Sequence, residues 1–426
     1  MANSFQGVRR PSRAKTVFWR LGAWLPVTLT AACAASPTQP VTSPAPTTLE
    51  DTDTAETVAD EVPSRCEEPA PVASPPSVLL ALHVPPPPPP PPRRGERRII
   101  ELECMDCMES TDIVRVAANG APVTFGPGVD PRMLPDGSFA YAEEVFTPQQ
   151  TLVRVAPDGT VSRTPGGATL PAGVSGMLPL HRAPRTPDGR LLLTPERCDE
   201  HTWACQLALY RHGLDHVRPP LITVPFSLEE GAYYLALAAD GSAFSGCVGP
   251  RGGRPGAWLW VDVASGETWQ REVSADCAYI DVQQQRALTR SGHTVTAYGR
   301  IGAPTSVEAS VFPSRTLLSA CGDSVFVAGR IEGPERGTSV PDAPVVVERI
   351  SLDGGERTIL ATWPTGPYHD VVALELDERG WLMVLVAQQH QDAELWLVPT
   401  SGPQQTTPVA LPSGRVYMAV LGPQLP

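Results

Sequence analysis

The sequence predicts an all-β fold, a β-propeller of seven four-stranded blades, with six or eight blades as the alternatives. Short apolar-alternating runs that end in a Gly-containing turn recur from about residue 112 to the end of the 426-residue chain. Such runs lie at residues 113–116, 152–155, 258–261, 347–350 and 395–398. Alternation with a period of two is typical of strands, and Asp-Gly favours the positive φ angles of a two-residue β-turn. Because a repeat this small cannot bury its own apolar face, its copies must stack on one another.

The spacing of the hairpins indicates how the strands are grouped into blades. Between residues 98 and 426, hairpins follow one another in pairs, which gives about seven units of roughly 47 residues, near the period of propeller blades. The first unit lacks one strand, and the apolar run at residues 415–420 is left over at the other end. We therefore expect the last strand to complete the first blade and so to close the ring.

A tripeptide repeat carries a resemblance to a known family. Pro135-Asp136-Gly137 precedes a short apolar strand, residues 187–189 repeat the tripeptide, and residues 239–241 hold the degraded form Ala-Asp-Gly. The motif resembles the repeat of WD40-like propellers of the TolB type, in which Pro-Asp-Gly lies at the turn between the first two strands of a blade. The resemblance implies the propeller fold. It implies little about activity, since propellers host many unrelated functions.

The N-terminus has the pattern of an export signal. Basic residues precede a short apolar stretch, residues 21–29, which is too short to span a bilayer and ends in small residues. Thr30-Ala31-Ala32-Cys33 resembles the lipobox of bacterial lipoproteins, although Thr30 stands where Leu is commonest. The resemblance implies cleavage after residue 32 and lipidation of Cys33. The expected location is then the cell envelope, on the periplasmic side or at the outer membrane, with ordinary cleavage as the alternative.

A tether is predicted between the signal and the propeller. Residues 33–97 are rich in Pro, Thr, Ser and Ala and have few large apolar groups, which predicts disorder. The unbroken proline run at residues 85–92 predicts a polyproline II rod. An apolar run at residues 77–84 interrupts this segment, and it is either a short strand docked on the domain or without structure. The predicted propeller domain occupies residues 98–426.

The charge of the chain argues against nucleic acid as a partner. The formal net charge is −13, and Lys15 is the only lysine. An acidic chain without a long basic stripe repels phosphate backbones. We therefore predict no nucleic-acid binding.

Eight cysteines remain after Cys33, an even number in an exported chain. Such a count favours disulfides. Cys198 and Cys205 flank one loop between two apolar strands and are the first predicted pair, and Cys247 with Cys277 is the second. Residues 104–107 have CxxC spacing, but no second CxxC accompanies them, so neither a metal site nor any other cofactor is predicted.

The loops of a propeller lie on two faces, and the longer loops are the candidates for binding. The tight turns within the first and last strand pairs of each blade lie on one face. The opposite face carries the longer connections predicted at residues 143–151, 195–206, 247–257, 329–345 and 387–394. The predicted binding face there includes Glu143, Glu144, Glu196, Asp199, His369 and Asp370.

The sequence does not establish an activity. It has no Gly-x-Ser-x-Gly elbow, no HExxH and no phosphate-binding glycine loop, so no catalytic residue is predicted. The predicted function is a monomeric, lipid-anchored binding or scaffold module for an envelope protein or polymer. One alternative is a propeller enzyme, a metal-dependent lactonase or hydrolase with its site at the central channel. Another is a structural spacer without a ligand.

Overall fold

The fold of the chain is taken from a computed structural model. It describes residues 75–83, 111–117, 120–134, 136–143, 151–165, 186, 191–196, 204–211, 220–227, 233–250, 255–331, 343–364, 370–377, 379–388, 391–401 and 406–421. Every regular element in these ranges is a β-strand, and the strands form seven antiparallel sheets. Nowhere in these ranges does a helix occur that has the length and apolar character of a membrane span. The predicted all-β class is confirmed.

Each sheet is one blade, and its strands are numbered in chain order. Blade 1 consists of β1 (Val78–His83), β2 (Thr111–Val116), β3 (Val123–Pro127) and β27 (Arg415–Leu421). Blade 2 consists of β4 (Val129–Met133), β5 (Phe139–Glu143), β6 (Thr151–Val155) and β7 (Val161–Pro165). The described strands of blade 3 are β8 (Leu191–Glu196), β9 (Ala204–Arg211) and β10 (Ile222–Ser227). Blade 4 consists of β11 (Tyr233–Leu237), β12 (Ala243–Val248), β13 (Gly256–Asp262) and β14 (Thr268–Val273).

The remaining three blades follow the same pattern. Blade 5 consists of β15 (Asp276–Asp281), β16 (Arg286–Ser291), β17 (Thr294–Gly299) and β18 (Thr305–Glu308). Blade 6 consists of β19 (Phe312–Leu318), β20 (Ser324–Arg330), β21 (Val345–Ser351) and β22 (Arg357–Trp363). Blade 7 consists of β23 (Asp370–Leu376), β24 (Trp381–Gln388), β25 (Gln391–Pro399) and β26 (Thr407–Val409).

The ring closes through the two ends of the propeller domain. The last strand, β27, joins the sheet of β1, β2 and β3 and is its innermost strand. The innermost strands β11, β15, β19, β23, β27 and β4 contact one another in that order around the central channel. The prediction that the C-terminal strand completes the first blade is confirmed, and blade 1 thereby combines residues from both ends of the domain.

The first strand lies inside the predicted tether. β1 pairs with β2 on one side and with β27 on the other, so it is an interior strand of blade 1. Val78, Leu79 and Leu80 have no exposed surface. Of the two alternatives for this apolar run, the docked strand is therefore correct. The sheet includes residues 78–83, so the boundary predicted at residue 98 is placed too late.

Alternating side chains of each strand fill the two spaces between a blade and its neighbours. Leu80 and Val114 of blade 1 pack against Leu397 of blade 7. Leu79 and Ile113, one position away on the same strands, pack with the aromatic rings of blade 2. The period-two pattern that predicted strands thus also assigns each residue to one inter-blade core. Trp258 is fully buried in one of these cores and donates its Nε1–H to Ser245 Oγ at 2.9 Å.

The Asp-Gly turns differ from the predicted two-residue type. In the turn of blade 2 that follows β6, Gly159 has a φ of 85°, whereas Asp158 is not among the residues with positive φ. Ala156 N–H donates to Thr160 O at 2.9 Å, which closes a three-residue loop. Asp158 Oδ1 instead accepts the N–H of Thr160 at 2.9 Å, and this hydrogen bond lowers the pKa of Asp158. Aspartate is therefore used here for its short acceptor side chain and glycine for its positive φ.

Two faces follow from the strand directions. The turn face carries the connections from first to second and from third to fourth strand, and the loop face carries those from second to third strand and between blades. The predicted long loop at residues 387–394 is wrong, because β24 and β25 continue through it and Gln388 pairs with Gln391. In blade 5 the corresponding connection is also tight, since Ser291 pairs with Thr294. The loop-face connections therefore differ in length, and those between the second and third strands of blades 5 and 7 are short.

Candidate functional site

The predicted binding-face residues are spread over three blades. Glu143 is the last residue of β5, Glu196 is the last residue of β8, and Asp370 is the first residue of β23. Second strands end and first strands begin at the loop face, so all three lie on that face. Glu144, Asp199 and His369 lie outside the described residues. That this face binds a partner remains a prediction.

Glu143 forms an ion pair with a residue of its own blade. Arg163 Nη2 lies 3.2 Å from Glu143 Oε1. The side chain of Glu143 is 17% exposed and that of Arg163 is 55% exposed. The hydrogen bond from Arg163 and the negative charge of Glu143 raise the pKa of Arg163. Because one partner is largely exposed, the pair adds little to stability, and its charges stay near the surface of the loop face.

Asp370 belongs to a polar contact between blades 6 and 7. Ser314 Oγ donates to Asp370 Oδ1 at 2.5 Å, and Val371 N–H donates to the same oxygen at 2.7 Å. Arg315 Nε donates to Val372 O at 3.0 Å, while the side chain of Arg315 is exposed. The first strands of the two blades are thus joined at the loop-face mouth of the channel, where both a carboxylate and a guanidinium reach the surface.

Exposed apolar side chains stand beside this polar contact. Phe312, the first residue of β19, is 41% exposed, and Ile331, directly after β20, is 46% exposed. Phe312 pairs with Arg330, the residue before Ile331, so both apolar residues lie at the loop-face end of blade 6. His293, from the tight connection of blade 5, packs edge-on against the ring of Phe312 with centroids 6.2 Å apart. The sequence did not predict these exposed residues, because an alternating strand pattern does not show which apolar residue at a strand end remains exposed to solvent.

The innermost strands also place ionisable side chains in the channel. Glu375 on β23 accepts the N–H of Leu421 on β27 at 2.7 Å through Oε2. The pKa of Glu375 is raised to about 7, mainly by burial; the hydrogen bond from Leu421 lowers it, and the Asp377 carboxylate adds a smaller increase. Burial is also the main cause of the raised pKa of Tyr279 on β15, with smaller contributions from Asp281 and Glu375. Glu375 and Tyr279 thus lie on the innermost strands of blades 7 and 5, which are not neighbours.

A carboxyl group that titrates near neutral pH is chemically able to accept or donate a proton. Glu375 lies near the end of β23 at the turn face, whereas Asp370 at the start of the strand is at the loop face. The two polar regions are therefore at opposite ends of the channel. Among the residues that the structure describes, no group of three or more His, Cys, Asp or Glu side chains is placed to hold a metal ion.

The burial of Glu375 leads to a stability prediction. A pKa of about 7 in the folded chain, against 4.5 when unperturbed, means that the folded state holds more protons between these values. Stability should therefore fall as the pH rises from about 4.5 to 7, and the loss is complete above pH 7. After allowance for partial accessibility, the loss is about 2–3 kcal/mol.

The variant Glu375→Gln keeps an oxygen for the N–H of Leu421 but cannot ionise. We expect it to equal the parent in stability near pH 4.5 and to exceed it at pH 8, as measured by urea unfolding across this range. Glu356→Gln is the matched control, because Glu356 is exposed on the turn face and should show no such pH-dependent gain. Parallel pH profiles for Glu375→Gln and the parent would contradict the prediction.

Comparison with known proteins gives similarities to solved structures. No family model matches the chain, and no curated protein matches it. TolB from Acinetobacter baumannii is 15% identical over 82% of this chain and 67% of its own, with a TM-score of 0.41. The β-propeller domain of the Trilobed protease from Pyrococcus furiosus is 12% identical over 70% of this chain and 89% of its own, with a TM-score of 0.42. An acylaminoacyl peptidase is 13% identical over 70% of this chain, with a TM-score of 0.44, and the chain spans about half (47%) of its length.

The fold follows from the strand pairing of the chain itself. Seven antiparallel sheets occur in the described residues, and the innermost strand of one of them is the last strand of the chain. The sequence expectation of seven blades around a central channel is met. The chain is a seven-bladed β-propeller.

Proposed function

We propose that the protein is a lipid-anchored β-propeller of the bacterial cell envelope that binds a protein partner or an envelope polymer through its loop face. The observation that carries this proposal is the pair of exposed apolar residues Phe312 and Ile331 at the loop-face end of blade 6, near the contacts that Ser314 and Arg315 make with blade 7. Aromatic and arginine side chains contribute most of the binding energy in many protein interfaces. An exposed aromatic ring at the rim of an otherwise polar mouth is suited to bind such a partner, with charged groups around it to orient the complex.

The proposed anchor is the thiol of Cys33. Its support is the lipobox resemblance of residues 30–33 and the short apolar stretch before them. Each methylene group that enters the bilayer contributes about 0.8 kcal/mol, so several acyl chains hold a protein on the membrane persistently. The propeller acts as a monomer without a cofactor in this proposal, at the periplasmic side or the outer membrane.

A second candidate function is an enzyme with its site in the channel, such as a metal-dependent lactonase or hydrolase. The observation that favours it is Glu375, whose pKa is raised to about 7 by burial. If the channel is catalytic, Glu375→Gln removes the turnover of a lactone or ester panel in the presence of added divalent metal. If the protein is a binding module, Glu375→Gln leaves partner binding unchanged.

The binding face is tested by comparing variants of the two faces. Phe312→Glu places a charge at an exposed apolar position of the loop face, whereas Ile301→Glu changes a side chain that is 88% exposed on the turn face. After crosslinking in intact envelopes and purification of the protein, we expect Phe312→Glu to reduce the crosslinked partner by at least about tenfold, as for an interface hot spot. Ile301→Glu should retain it. Equal loss in both variants, or loss only in Ile301→Glu, would argue against the loop face.

The anchor is tested separately by metabolic labelling with palmitate. We expect the parent to carry label and to sediment with membranes, and Cys33→Ala to carry none and to be released. A labelled Cys33→Ala variant, or an unlabelled parent, rules out lipidation at this position.

A further inference from the structure

A cavity opens on the turn face between blades 5 and 6. It is lined by residues of the turns from β15 to β16, from β17 to β18, from β19 to β20 and from β21 to β22. Its volume is about 290 Å³, close to the lower limit of typical small-ligand pockets. Because Phe312 lies at the opposite face, the cavity is separate from the surface proposed to bind a partner. Its size suits a small molecule.

Hydrogen bonds between blades hold the walls of the cavity in place. Arg286 of blade 5 donates to Gly322 O, which joins the turns of blades 5 and 6. Arg271 of blade 4 donates to Gly299 O, and its Nη2 donates to Gly302 O at 2.7 Å. These two bonds fix the turn from β17 to β18. A site that is formed in advance in this way requires little ordering of the protein when a ligand binds.

Arg286 brings to the cavity a positive charge with unused hydrogen-bond donors. The residue is half-buried, and within the described part of the chain its side chain makes a single hydrogen bond, the one from Nη1 to Gly322 O. It forms no ion pair with a described residue. A guanidinium group has five N–H donors in one plane. The remaining donors of Arg286 suit a carboxylate, which a guanidinium group can bind through two parallel hydrogen bonds.

Two carboxylates of blade 6 line the same cavity, and both have oxygens to spare. Asp323 Oδ1 accepts the hydroxyl hydrogens of Ser319 at 2.8 Å and Ser324 at 2.9 Å. Arg349 Nη2 lies 3.8 Å from the same oxygen. Neither Asp323 Oδ2 nor the exposed carboxylate of Asp353 accepts a hydrogen bond from a described residue. Three carboxylate oxygens are therefore available to an ammonium group, which carries three N–H donors.

We propose that this cavity binds a small zwitterion, an amino acid or a dipeptide, with the ligand carboxylate on Arg286 and the ligand ammonium group on Asp353 and Asp323. Opposite charges line the cavity, yet Arg286 forms no ion pair with either carboxylate. A ligand with one charge would be attracted to one side and repelled by the other. A molecule that carries both charges a few ångströms apart is complementary to both sides. The proposal involves neither the loop face nor Cys33, so it can fail while the proposed function stands, and the reverse also holds.

Titration calorimetry of the purified full-length protein tests the class of ligand. The probes are alanine and the dipeptide Ala-Ala, which differ in the distance between their two charges. We expect at least one of them to bind. Its N-acetylated form, which lacks the ammonium group, and its amidated form, which lacks the carboxylate, should each bind at least about tenfold more weakly. Equal affinity of the free and blocked forms, or no saturation by either probe up to about 10 mM, would overturn the proposal. Binding of the neutral sugar N-acetylglucosamine in their place would do the same.

Three variants assign each ligand charge to its residue. Arg286→Gln keeps a donor for Gly322 O but loses the charge, so the loss of affinity on amidation of the probe should largely disappear in it. In Asp353→Asn, the loss of affinity on acetylation should shrink instead. Glu356→Gln is the matched control, since this exposed carboxylate belongs to the same turn as Asp353 but does not line the cavity, and it should bind the probe as the parent does.

This pattern separates a charge contact from a general disturbance of the fold, which would weaken the free and blocked probes alike. If Arg286→Gln and Asp353→Asn keep the full preference of the parent for the free probe, the assignment of the two charges is wrong. An equal loss of binding in Glu356→Gln and Asp353→Asn would likewise contradict the proposal, because the effect would then come from the net charge of the turn face and not from the cavity.

Discussion

A chain shortened to residues 98–426 is expected not to fold into the propeller, because it lacks β1. This strand pairs on both sides within blade 1, and its loss leaves β27 and β2 without a common neighbour. Val78, Leu79, Leu80 and Leu82 are buried in two different inter-blade cores. Full burial of such side chains contributes about 1.5–3 kcal/mol each, so the four contribute about 6–12 kcal/mol. This is comparable to the whole stability of a typical domain.

The comparison that tests this expectation uses two chain starts. A chain of residues 75–426 retains β1 and should unfold cooperatively, with a strong near-ultraviolet circular dichroism signal. The 98–426 chain should show no such transition and should be cleaved rapidly by protease. A synthetic peptide of residues 75–84 added to the shorter chain is expected to restore protection by re-forming the strand. Cooperative unfolding of the 98–426 chain alone would contradict the assignment of β1.

The position of β1 shows why sequence reasoning could not place the domain boundary. The hairpins of the other blades are local. Strand pairs such as β13 and β14 are adjacent in sequence, so an alternating pattern and a turn are enough to predict them. β1 has neither a hairpin turn nor a nearby partner, because Leu80 pairs with Val114 and with Ala419. Its residues are apolar on both faces, as expected for an interior strand, and a proline-rich composition surrounds them. Only closure of the ring supplies its partners.

The candidate site was predictable to a smaller extent than the fold. The repeats predicted the direction of each strand, and strand direction alone was enough to predict the loop-face position of Glu143 and Asp370. The properties of Glu375 did not follow, because its burial raises its pKa and arises only when strands distant in sequence pack together, as does the hydrogen bond from Leu421 that opposes the rise. Likewise, alternation does not show that Phe312, at the loop-face start of β19, has an exposed side chain.

Removal of the disulfide between Cys247 and Cys277 is the second change with a large expected effect. The two cysteines are 30 residues apart, and both are buried at the loop face, one at the end of β12 and the other at the start of β15. The bond therefore joins blades 4 and 5, and the structure confirms this predicted pair. A closed loop of this length stabilises the folded chain by about 3–4 kcal/mol through the entropy of the unfolded state.

The double variant Cys247→Ala/Cys277→Ala removes the bond without leaving a reactive thiol. We expect its free energy of unfolding in urea to be about 3–4 kcal/mol lower than that of the oxidised parent. Addition of a reductant should then reduce this difference in the free energy of unfolding, because the parent loses the Cys247–Cys277 bond as well. The other disulfides, those of Cys205 and Cys321, are lost from both chains alike. Blades 4 and 5 remain joined through Trp260, whose Nε1–H donates to Val282 O at 3.2 Å, so the variant should still fold. If the difference in the free energy of unfolding stays the same under reduction, the lost stability comes from cavities at the two alanines and not from the cross-link.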